Sequence, residues 1–201
     1  MPLLPLFPLP LVLFPETVLP LHIFEPRYKE MVGECLQKKE SFGIVRAEEK
    51  GMARIGCTAE IMEVAKRYDD GRLDIVTAGT RRFEVVEINN ERAFLLGEVS
   101  YFDDLPLAPP PKKQRDRVLQ LHREVMHLTD ISADFPNPEH QLLSFHLAES
   151  MPMDLDLKQA LLGMRAESDR LRALIKYYEA LLPTLERAIK VRKRAGGNGK
   201  G

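Results

Sequence analysis

A chain of 201 residues with 44% apolar, 29% charged and 7% aromatic residues has the length for one large or two small domains and the apolar content for a sizeable core. Its 29 Lys and Arg against 30 Asp and Glu leave a net charge of −1, which removes any overall pull toward nucleic acid or an anionic membrane. Two cysteines, Cys35 and Cys57, exclude a disulfide framework and fit free thiols in a reducing compartment, so the cytoplasm is the expected location.

Six of the fifteen prolines fall within the first twenty residues: Pro2, Pro5, Pro8, Pro10, Pro15 and Pro20. This apolar opening has no basic residue before Arg27, no small-residue cleavage site, and a helix breaker every few positions. It therefore reads as neither a secretory signal nor a spanning helix. Between the prolines, Leu11–Phe14 and Thr17–Phe24 are rich in Val, Ile, Leu and Phe and predict short strands, with proline at edges or ends. A helix is expected from Pro26, with Tyr28, Met31, Val32, Cys35 and Leu36 at spacings of three and four. Five strand candidates follow, at Phe42–Ala47, Ala53–Arg67, Arg72–Ala78, Arg82–Ile88 and Ala93–Phe102, with turns at Tyr68-Asp69-Asp70-Gly71 and Asn89-Asn90. So many strands around one helix predict a barrel-like β domain over residues 1–104.

Residues 105–111, with Pro106 and three consecutive prolines from Pro109, read as a linker. Beyond it the period changes to 3.6, predicting a helical subdomain over 112–190. Val118, Leu121, Val125 and Leu128 form one stripe. Asn137-Pro138-Glu139 predicts a cap and first turn leading into Leu143 and Leu147. Asp154 or Asp156 is expected to start the longest helix, carried by Leu171, Leu174, Ile175, Tyr178, Leu182 and Leu185, with Pro183 kinking or fraying its end. Residues 191–201, basic and glycine-rich, are expected to form a flexible tail.

The patterns that carry chemistry do not assemble. The terminal GGNGKG has glycine where a phosphate loop needs Ser or Thr. His122 and His127 are five apart, and His140 and His146 six apart, spacings that spread the rings around a helix, so no metal is expected. No nucleophile motif occurs, Cys35 lies on an apolar stripe, and the carboxylate pairs Glu48-Glu49, Asp69-Asp70 and Asp103-Asp104 fall in turns. No catalytic, cofactor-binding or metal-binding residue is assigned, and no cofactor is expected. Residues 1–104 carry 13 basic and 18 acidic side chains, a net of −5, which disfavours phosphate binding by the β half.

Five segments share an order and spacing: LPLFPLPLVLFPETVLPLHIFEPRY at 4–28, FGIV at 42–45, IGCTAEI at 55–61, DGRLDIVTAGTRRFEV at 70–85 and LAESMPMDLDLKQALL at 147–162. Together they resemble the amino-terminal domain of the Lon ATP-dependent proteases, over nearly the whole chain. The resemblance implies an α+β chain: a PUA-like β barrel with one intervening helix, followed by an all-helical subdomain ending in a long helix. It also implies a non-catalytic protein-binding module, because the family's Walker motifs and Ser-Lys dyad domain have no counterpart in these residues. The partners implied are unfolded or tagged polypeptides, or a protease or chaperone; a membrane is not among them. The competing reading is an RNA- or nucleotide-associated PUA-like protein.

Two surfaces are candidates for polypeptide binding by apolar contact and strand addition. One is the corner Phe24, Glu25, Arg27 and Tyr28, where an aromatic stands on either side of a charged pair. The other is a groove between barrel and helices bordered by Met151 and Met153, whose side chains suit varied contacts. Both sets also have structural readings: Pro26 starting the helix with Phe24 stapling it, and methionines packing a core.

Overall fold

The computed structural model describes residues 3–131 and 135–197. Its elements are β1 (Leu3–Leu9), β2 (Val18–Ile23), α1 (Pro26–Lys38), β3 (Phe42–Glu48), β4 (Gly51–Arg67), β5 (Leu73–Asn89), β6 (Leu95–Phe102), α2 (Lys112–Thr129), α3 (Leu143–Glu149), α4 (Leu155–Gly163) and α5 (Glu167–Gly197). The chain is α+β. It divides at 103/104, 153/154 and 163/164 into two compact units, the first holding the six strands with α1 and α4, the second α2, α3 and α5.

In the first unit the strands form one mixed sheet in the order β2-β5-β4-β3-β1-β6, and β5 also pairs β6. The pairings from β1 through β3, β4, β5 and β6 therefore return to β1, and β2 has a single neighbour. Only β1 with β3 is parallel. Three expectations shift here. The first strand is Leu3–Leu9, despite Pro5 and Pro8. Residues 3–6 pair with β6 and 6–9 with β3, so each proline has one flank without a ladder, where a missing N–H costs nothing. Leu11–Phe14 is not a strand: Val12, Leu13 and Phe14 are buried in the connection, and Phe14 O accepts from Thr17 Oγ1 at 2.7 Å. The two runs expected at 72–78 and 82–88 are one strand, continuous through Gly79, where Phe14 O lies 2.0 Å from the position a Cβ would take. Only glycine lets the connection cross β5 that closely.

The core of this unit is built by inward alternation on the strands, with Leu4, Leu6, Val45, Phe83, Val85 and Val99 in one cluster. Helix α1 buries Tyr28, Met31, Val32 and Cys35 and stops at Lys39, which is left-handed (φ 56°) and donates its backbone N–H to Cys35 O. Helix α4 belongs to this unit as well: Gln159 Nε2 donates to Ile55 O at 2.9 Å, and Arg82 Nη1 to Leu162 O at 3.1 Å.

The second unit buries Val118, Leu121 and Val125 of α2, Phe145 and Leu147 of α3, and Leu171, Leu174 and Tyr178 of α5. Asn137 caps a turn, with Glu139 N donating to its Oδ1 at 3.1 Å, and α3 begins only at Leu143. The longest helix does not start at Asp154 or Asp156; Asp154 caps α4 through bonds to the backbone of Asp156 and Leu157, and α5 starts afresh at Glu167. It passes through Pro183 and runs to Gly197, into the segment assigned to a tail; residues 198–201 lie outside the described residues.

Arg170 organises this unit from full burial. Its guanidinium donates to both oxygens of Asp104 (2.7 and 2.5 Å), to Glu167 Oε2 (2.6 Å), to Ser144 Oγ (2.8 Å) and to Met164 O (2.9 Å), and lies 4.4 Å from the Phe145 ring. No helix among the described residues is long and apolar enough to cross a membrane.

Candidate functional site

The first half of β5 lies between β2 and the second half of β4, giving a three-stranded wing. Leu73, Ile75 and Thr77, with Ile23 of β2, turn inward and are buried. The opposite phase turns out. Across the wing it places Val18, Ala78 and Glu60 in one row, Pro20, Val76 and Glu63 in the next, and His22, Asp74 and Lys66 in the third. Met62 stands in the register shift beside Glu63. Val18 is 65% and Met62 61% exposed, Pro20 is exposed, and Val76 and Ala78 are half-buried. An apolar strip thus lies on the solvent side of a sheet.

The third row is tied together. His22 Nδ1 is 2.5 Å from Asp74 Oδ1, and Tyr68 Oη donates to Asp74 Oδ2 at 2.8 Å, which holds the Asp74 carboxyl below its usual range. Lys66 and Arg72 both lie over the Tyr68 ring, at 4.5 and 4.8 Å. The His22 ring stacks on Phe24 at 5.9 Å.

Both flanks of the wing resist pairing. Gly79 N donates to Thr17 O at 2.9 Å, which fixes the phase of the β2–β5 ladder. By antiparallel alternation, Leu19, Leu21 and Ile23 bond to β5, and the backbone groups of Val18, Pro20 and His22 face the open side. Pro20 offers no N–H there. On the other flank, β3 pairing stops at Ala59, and β4 carries register shifts at 57/59, 61/63 and 64/66. Proline and bulges are the devices that keep an edge from accepting another strand.

The corner expected at residues 24–28 divides. Phe24 is 59% exposed, and Glu25 and Arg27 form an exposed ion pair at 2.8 Å. Tyr28 is buried, packed on Phe7 with ring centroids 4.0 Å apart, and burial pushes its hydroxyl pKa up. Met151 is buried and Met153 half-buried. The structure thus brings Phe24 to the wing through His22 and takes Tyr28 into the core. Sequence reasoning missed the wing's outer face. The available signal was Leu73–Ala78, LDIVTA, where valine and alanine occupy the phase that an ordinary half-exposed strand gives to polar residues.

The two thiols and His122 are placed for packing, whereas His140 and His146, whose spacing was expected to spread their rings, stand edge to face with centroids 4.4 Å apart. Burial pushes the Cys35 thiol up to about 11 and Cys57 up to about 12, leaving both protonated at neutral pH. His122 is fully buried, its Nδ1 2.9 Å from Tyr178 Oη and its Nε2 3.3 Å from Ser150 Oγ. Ser150 Oγ also lies 3.0 Å from Leu147 O, which competes for its one proton.

Comparison with solved structures gives the class. The fold is similar to the Lon N-terminal domain protein from Xanthomonas campestris (TM-score 0.72, 26% identity, 88% of this chain and 99% of that one). It is also similar to the N-terminal domain of the Mycobacterium avium complex Lon protease (TM-score 0.65, 17% identity, 89% and 98% covered). The model of the ATP-dependent protease La (LON) substrate-binding domain matches residues 3–179, and the chain belongs to that family. Among curated proteins, Lon protease of Amoebophilus asiaticus is 27% identical over 173 residues, covering 82% of this chain and 20% of that protein. Lon protease of Buchnera aphidicola subsp. Baizongia pistaciae is 24% identical over 211 residues, 95% of this chain and 26% of that protein. The chain thus spans about a quarter or less of these relatives' lengths.

Proposed function

We propose that this protein is a non-catalytic substrate-recognition module that holds polypeptides against the outer face of the wing. The observation that carries the reading is an apolar strip, Val18, Val76, Ala78 and Met62, displayed on the solvent side of a sheet whose two edges are blocked. Burying such a strip is favourable by about 25 cal/mol per Å² removed from water. With the edges blocked, binding proceeds through side chains rather than by strand addition, which replaces the pairing mode expected from sequence. Phe24, with Glu25 and Arg27, borders this face, and Met153 offers a second apolar contact in the other unit. The strands that carry the wing are read as a PUA-like barrel, a reading supported by the run of pairings from β1 through β3, β4, β5 and β6 back to β1. The partners are unfolded or tagged polypeptides, or a protease or chaperone, and the setting is the cytoplasm. ATP hydrolysis and peptide cleavage lie outside this module.

The test is fluorescence anisotropy with a labelled client that is reduced and permanently unfolded, beside the same client in its native form and a single-stranded RNA. Saturable binding of the unfolded client alone, with a shallow salt dependence, supports the reading. RNA binding with a steep salt slope, as counterion release demands, would replace it.

A further inference from the structure

Resting on that reading, we infer that the wing selects segments in which basic residues adjoin apolar ones. Glu60 and Glu63 both stand on the outer face of β4, directly across from Ala78 and Val76, so two exposed carboxylates run along the apolar strip. Of the cations near this face, Lys66 lies on Tyr68 next to Asp74 and Arg72 is bonded to Asp70 at 2.7 Å, while the exposed Lys39 lines one hollow with both Glu40 and Glu60. Neither Glu60 nor Glu63 takes part in an ion pair with a described residue. The strip is therefore bordered by negative charge that the protein leaves to solvent.

The long-range field has the same sign, since residues 1–104 carry a net charge of −5 against +4 for the rest of the chain. A segment with Lys or Arg beside Val, Leu or Phe would lay its apolar side chains on Val18, Val76 and Met62 and its cations along Glu60 and Glu63. An acidic apolar segment meets repulsion in the same place. A second copy meeting this one wing to wing would bring its own Glu60 and Glu63 to the same face, so the matched occupant is a foreign basic and apolar segment.

The experiment titrates the full chain with three labelled peptides that share one apolar core and are flanked by Lys, by Gln or by Glu, at low and at raised salt. The Lys-flanked peptide binds tightest, by about three- to tenfold over the Glu-flanked one for two exposed charge pairs, and the gap narrows with salt. The double variant Glu60→Gln/Glu63→Gln loses that gap but keeps its affinity for the Gln-flanked peptide. The double variant Val18→Ser/Met62→Ser, at two exposed positions, weakens all three. Equal binding of the three peptides overturns this inference and leaves the recognition reading standing. The absence of binding by any of them overturns both. If the chain self-associates and the Val18→Ser/Met62→Ser variant is monomeric in sedimentation, the face belongs to a second copy and the inference fails.

Discussion

Acid should weaken this protein through His122 before it acts on any carboxylate. The ring is fully buried, meets the hydroxyls of Tyr178 and Ser150 and the Phe135 ring at 5.9 Å, and sits beside the charge of Arg123. Burial, aided by Arg123, lowers its pKa from 6.5 to about 4. As the pH falls, the unfolded chain takes up the proton near 6.5 and the folded chain only near 4, so stability is intact above that window and declines through it. The gap between 6.5 and about 4, at about 1.4 kcal/mol per pH unit, gives a loss of about 3 kcal/mol by the lower end. Glu34 behaves separately: Arg92 holds its carboxyl at about 2, so its contribution disappears only below its ordinary value of 4.5. Urea unfolding followed by circular dichroism, in steps of about half a pH unit from about pH 7.5 to 4.5, gives the slope. His122→Gln is less stable at neutral pH but flat through the upper part of the window. A Gln variant with the same acid slope as the parent would refute the assignment to His122.

Further outcomes follow from the packing. Arg170→Met strands Asp104 and Glu167 without their guanidinium and costs about 3–5 kcal/mol in urea unfolding, and Arg170→Lys recovers only part because an ammonium cannot span both carboxylates. Gly79→Ala forces a Cβ to 2.0 Å from Phe14 O and lowers the melting temperature sharply. Gly33→Ala, which meets nothing within 4 Å on α1, raises stability by up to about 1 kcal/mol. Tyr28→Ala costs about 3 kcal/mol or more through the emptied contact with Phe7, whereas Phe24→Ala leaves the unfolding curve in place and weakens only the unfolded client in anisotropy.

Local signals were the legible part of this chain. Pro26 and the stripe behind it marked α1, the turn at 68–71 closed between β4 and β5 with Gly71 at φ 81°, and the 3.6-residue period after Pro111 marked α2. What periodicity could not say is which core an apolar stripe joins. Leu161 and Leu162 read as part of one long helix, but they are buried in the unit that holds the strands, because α4 ends at Gly163 and α5 starts afresh at Glu167. Tyr28 was a plausible contact residue because an aromatic beside a charged pair looks the same in sequence whether it faces out or in. The neighbour that decides it, Phe7, lies in a strand that Pro5 and Pro8 disguised. Arg170 was invisible for a similar reason: its counter-ions come from Asp104 and Glu167, one of them in a segment that reads as an ordinary acidic turn.

The return of α4 to the strands governs how the polypeptide can be cut. A fragment ending at residue 103 would carry every strand and still lack the helix whose Gln159 and Leu162 meet Ile55 and Arg82. A fragment starting at 104 would drag that helix along with nothing to lie on. Each half is stitched from separate stretches, so a protease that nicked the proline stretch at 105–111 would sever one thread and leave two others running between the halves.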